Sequence, residues 1–161
     1  MKTFKDNMGQ MWNLQLTLAR TRVLREKLGL DLLNPQHYLQ VCSSLTDRMA
    51  FVFLLCEEEA RSMDISAEGF EERLYGDGFA DQASIAFLAE TEFFFQRLGQ
   101  DAMAKLARRS IETMKAGQAR LSEMLTSGQF DSLLDDAESE IQKLLQGSAG
   151  SGSPSSQPSS A

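Results

Sequence analysis

Three consecutive phenylalanines, Phe93, Phe94 and Phe95, stand in the stretch AETEFFFQRLG between acidic and basic neighbours. Successive side chains on a helix project about 100° apart, so one flat core cannot take all three rings from one side. Either neighbouring helices enclose that end of the domain, or at least one ring is left for a partner. The preceding residues favour a helix from about residue 78 or 79 to 98. Phe79, Ala83, Ala86, Phe87, Phe94 and Leu98 fall within about 120° of a helical wheel. Phe93 lies at the edge of that stripe, and Phe95 falls outside it beside Leu88. Glu90 projects into the middle of the stripe, where an ionised carboxylate needs a cation or a wet edge.

The stretch TFKDNMGQMWNLQLTL reads differently. Asp6, Asn7 and Gly9 supply turn chemistry, and Trp12, Leu14 and Leu16 alternate with polar residues, so a short N-terminal β-hairpin with Trp12 on its inner face is expected. Two strands alone are marginal in water, so that face must pack on helices. Thr17 can cap a helix over LARTRVLREKL, with Leu18, Val23, Leu24 and Leu28 as its apolar side and Gly29 as a left-handed stop. Asn34 and Pro35 open a short helix carrying Tyr38, Leu39 and Cys42. Asp47 is the expected cap of RMAFVFLLCEEEARS, whose apolar centre suits a central helix, with a buried strand as the competing assignment for AFVFLL. Ser66 at an N-cap, with Ile65 before it and Phe70 after it, has the spacing of a hydrophobic staple. That helix should end at Gly76.

Residues 101–127 form one long amphipathic pattern with Met103, Leu106, Ala107, Ile111, Met114, Leu121, Met124 and Leu125 on one side, stopped by Gly128. A last helix, 131–145, places Leu134, Ala137, Ile141 and Leu144 on one face and acids on the other. From Gln146 onward the Gly/Ser/Pro-rich sequence holds no large apolar residue and predicts a disordered tail. The expected fold is thus mainly α, with a small N-terminal β-hairpin packed on a multi-helix domain. Residues 1–99 form the hairpin and helical core, 100–145 the C-terminal amphipathic helices and 146–161 the tail.

The chemistry-bearing residues are sparse. A formal charge of −7 opposes nonspecific association with nucleic acid or anionic membrane. The basic set Lys105, Arg108, Arg109, Lys115 and Arg120 is interleaved with Glu112 and Glu123 and lacks stacking aromatics, so it reads as a solvated face or one that meets nearby acids, such as those of the last helix. Cys42 and Cys56 read as small apolar packing residues. The lone His37 has no ligand partners at metal spacing, CEEEA reads as a solvated helix face, and GDG at 76–78 joins two helices. No catalytic, metal or cofactor site is expected. The opening MKTFKDNMGQ lacks an apolar leader core, and no stretch approaches the length of a membrane span, so a cytoplasmic protein is expected.

Several pieces in order, TFKDNMGQMWNLQL, RVLREKLGLDLL, AFVFLLCEEEA, ISAEGFEERLYGD and AETEFFFQRLG, resemble a family of phage and prophage tail assembly chaperones over about residues 3–99. The resemblance implies a non-enzymatic, mostly helical protein of the host cytoplasm that binds the tape measure protein. It would keep that protein soluble until tail tube protein, a second candidate partner, polymerises around it. The family pattern places a proline just after the phenylalanines, where this chain has Gln96. The alternative from the same setting is a structural phage component, a head-tail connector or tail completion protein. A homo-oligomer stays open. If the contact surface is an adaptable apolar one, Phe93, Phe94, Phe95 and Leu88, with the soft side chains of Met103, Met114 and Met124, are its expected members.

Overall fold

Lys2–Lys5 (β1) and Met11–Leu14 (β2) pair antiparallel in a computed structural model that describes residues 1–147. Phe4 faces Trp12 across the ladder, and Phe4, Trp12, Leu14 and Leu16 are buried, as the alternation requires. The turn is fixed by Asp6, whose Oδ1 accepts the N–H groups of Met8 at 2.9 Å and Gln10 at 2.8 Å, and by Gly9 at φ +83°.

Seven helices follow among the described residues: α1 (Leu18–Leu28), α2 (Pro35–Ser43), α3 (Leu45–Ser62), α4 (Ala67–Arg73), α5 (Phe79–Arg97), α6 (Asp101–Thr126) and α7 (Gln129–Gly147). The expected mainly α fold with an N-terminal hairpin is what the chain adopts. Thr17 caps α1 by accepting the Arg20 N–H, and Gly29 takes the left-handed conformation. Asn34 caps α2 with Pro35 in the first turn. Ser66 caps α4 by accepting the Gly69 N–H, with Phe70 buried and Ile65 half-buried beside it. AFVFLL is helical.

Three local expectations change. Ser44, not Asp47, caps α3: its Oγ accepts the Asp47 N–H, because the helix begins three residues earlier than expected, at Leu45 rather than Arg48. In α1 the buried side is Thr21 and Leu24, while Leu18 and Val23 are exposed. Gln146 and Gly147 belong to α7; the rest of the expected tail, 148–161, lies outside the described residues.

The core forms where α5 packs against β1, β2 and α3, with α1, α2 and α4 closing on α3. α2 and α3 meet at a bend of 103° around Ser44, and Tyr38 of α2 reaches α5 at Thr91 and Phe95. Met103, Ala104 and Ala107 in the first turns of α6 are buried with this core. The compact unit therefore runs from Met1 to Met114, past the Gly99 turn, and a second unit begins at Lys115 within α6. No single helix is long and apolar enough to cross a membrane among the described residues.

Candidate functional site

The phenylalanine triplet does not act as one surface. Phe95 is fully buried, with its ring edge-on to Tyr38 at 5.3 Å between centroids, and Phe94 lies 5.6 Å from Phe95 and is also buried. Leu88 is buried as well. Only Phe93 is open, at 41% exposure, and the Arg97 guanidinium lies over its ring at 5.7 Å from the centroid. The helical wheel implied a core on one side of α5, whereas Tyr38 from α2 supplies a second apolar wall that takes Leu88's neighbour Phe95. Met103 is buried in the same unit, and Met114 is half-buried. Met124, half-buried, falls in the second unit. Of the seven expected contact residues, Leu88, Phe94, Phe95 and Met103 are thus held in the core, while Phe93 is exposed and Met114 and Met124 are half-buried.

The buried polar groups are positioning devices for the fold. Asp6 is almost completely buried; its Oδ2 accepts the Trp12 indole N–H at 3.0 Å and faces the Arg73 guanidinium at 3.4 Å. Burial by itself pushes the Asp6 carboxyl up, but the hydrogen bond from Trp12, those from the Gln10 and Met8 N–H groups and that from Arg73 outweigh it and hold the carboxyl below its usual value. Glu90, which the sequence places inside the stripe, accepts the Leu16 N–H on Oε1 at 2.9 Å. Its Oε2 makes no aligned hydrogen bond among the described residues and lies 3.2 Å from the Met1 α-amino nitrogen, an ion-pair distance without hydrogen-bond alignment. Arg48 is buried and donates to Ser84 Oγ at 3.1 Å and to the Val41 and Cys42 carbonyls at the C-terminal end of α2, where a cation meets the negative end of the helix. Burial draws its guanidinium below the ordinary arginine value. Tyr38 Oη and Thr91 Oγ1 share a hydrogen bond of 2.7 Å, and burial pushes the phenol up.

The remaining candidates are equally occupied. Burial pushes the Cys56 thiol up to about 12 and raises Cys42, which disfavours the reactive thiolate at both. His37 Nδ1 accepts the Asp31 N–H at 3.0 Å. In CEEEA, Glu57 is not simply solvated: it bridges Lys27 of α1 at 2.7 Å and Arg61 at 3.2 Å. Its carboxyl is lowered by the Lys27 hydrogen bond against the opposing effect of burial. Arg108 of the basic set pairs with Glu92 at 2.7 Å.

Open apolar surface is found elsewhere. In the first unit a shallow groove of about 230 Å³ is lined by Leu45, Met49, Leu74 and Ala80, with Tyr75 standing beside it at 86% exposure. In the second unit Leu121 and Leu125 of α6 are exposed, and so is every described side chain of α7, including Leu133, Leu134, Ile141, Leu144 and Leu145. The sequence placed Leu134, Ala137, Ile141 and Leu144 on one helical face but not among the contact residues. The missed signal is the density of acids around that face. Comparison with protein-family models, with curated protein sequences and with solved structures returns no match.

Proposed function

We propose that the protein is a phage or prophage tail assembly chaperone that acts by binding alone. It holds the tape measure protein soluble in the host cytoplasm until tail tube protein polymerises around it. Support comes from the ordered sequence resemblance over residues 3–99, from the helical character that the resemblance implies and from the net acidity of the chain. The observation that carries the reading is the row of exposed apolar side chains on α7, set in an acidic helix. A long helical chain with an apolar face aggregates unless that face is covered, and a soluble adaptor offering many modest contacts can cover it and let go.

The test is co-expression with the tape measure protein encoded by the same phage. The chaperone reading expects soluble tape measure protein to rise several-fold in its presence, and expects the chain to be missing from purified particles by mass spectrometry. Unchanged solubility contradicts it. A fixed copy number in finished particles would instead make the chain a structural component.

A further inference from the structure

We infer that α7 is a docking helix for a second protein, one that presents an amphipathic helix whose apolar seam is flanked by lysine or arginine. The inference does not rest on the tail-assembly reading. Leu134, Ala137, Ile141 and Leu144 recur at alternating three- and four-residue steps, the a and d spacing of two heptads. No glycine or proline interrupts the helix before its last residue, Gly147. All four seam residues are exposed, as is every other described side chain of α7. An apolar seam of this length left in water is costly.

Charge selects the occupant. Glu138 and Glu140 stand at the e and g positions beside the seam, and Asp131, Asp135 and Asp136 add to them against Lys143 alone, a net charge of −5 + 1 = −4 over residues 129–147. Two copies of α7 side by side would bring like charges within about one Debye length along their whole contact. α6 is a poor occupant in the same chain or in a second copy. Its seam is broken by Gly117 and Gln118 between Met114 and Leu121, which leaves Leu121 and Leu125 as a single apolar turn. Arg108, one of its basic groups, is already held by Glu92. A foreign helix with an unbroken seam and cationic flanks meets both requirements, because flanking charges set partner choice in paired helices.

The experiment titrates the full-length protein into two fluorescein-labelled synthetic helices of three heptads with identical Ile/Leu seams, one with Lys and one with Glu at the flanking positions, followed by anisotropy. The Lys peptide should bind at least about tenfold more tightly at about 50 mM salt and weaken as salt rises to about 500 mM. The double variant Glu138→Lys/Glu140→Lys should reverse the preference, with Trp12 fluorescence confirming that the first unit is still folded. Equal binding of the two peptides, binding of neither, or an unreversed preference in the double variant overturns the inference. So does a dimer in sedimentation that Ile141→Asp dissolves, since the seam would then belong to a second copy.

Discussion

α5 and α7 are both nineteen residues long and both carry an apolar stripe, yet α5 has nine buried residues and α7 has none among its described side chains. The difference lies in what flanks each stripe. Around α5 the neighbours are rings and branched chains from the hairpin, α2 and α3, and even its central acid, Glu90, is taken up by the Leu16 N–H. Around α7 the neighbours in sequence are acids, which keep a helix soluble but give it nothing to pack on. On α5 the rings of Phe87, Phe94 and Phe95 close the core, whereas on α7 the carboxylate-bordered face with Leu134, Ile141 and Leu144 stays open. A Phe-rich helix looks sticky in sequence; here it is the best-protected helix of the fold.

The most damaging way to probe that contrast is Phe95→Asp. A carboxylate buried against Tyr38 without a partner should unfold the first unit or cost more than about 4 kcal/mol, seen as loss of the cooperative thermal transition by circular dichroism. If Phe95 belonged to a docking surface, stability would hardly move. Asp6→Asn comes next, at about 2–3 kcal/mol, because the hairpin turn, the Trp12 indole and Arg73 all converge on that one carboxylate.

The same residue gives a pH test. The folded Asp6 carboxyl lies below its ordinary value, so its contribution is fully present above the unfolded carboxylate pKa of about 3.9 and fades as pH falls through the lower folded value. Urea midpoints measured from neutral pH downward should therefore drop less steeply in Asp6→Asn than in the wild type. Tyr38→Phe removes only the hydroxyl shared with Thr91 and should cost about 1 kcal/mol in urea unfolding. Phe93→Ala should cost less still, about 0.5–1 kcal/mol, since an exposed ring under Arg97 contributes little beyond that contact.

Much of the fold was legible because its signals are local. Turn residues in the hairpin, the caps at Thr17, Asn34 and Ser66, and the glycine stops at Gly29 and Gly128 each act within one turn of chain, so sequence spacing is enough to find them. Asp6 was read only as a turn former, because the Trp12 and Arg73 partners that bury it come together through tertiary packing. The contact site was legible only in part for the same reason. A wheel shows which residues share a face, but not how many neighbours surround the helix. The wall made by Tyr38 depends on the 103° bend between α2 and α3, which no stretch of sequence around residue 95 encodes. The α7 stripe was visible as a helical face; that its described side chains are exposed is a property of the folded chain.

The central claim is that the apolar seam of α7 is free while Phe94 and Phe95 of α5 are core. It is tested most directly by urea unfolding of Leu134→Asp/Ile141→Asp, followed through Trp12, the single tryptophan and a buried reporter of the first unit. The midpoint should match the wild type to within about 0.5 kcal/mol. A fall of several kcal/mol would contradict the claim, because it would mean that the seam is part of what holds the fold together.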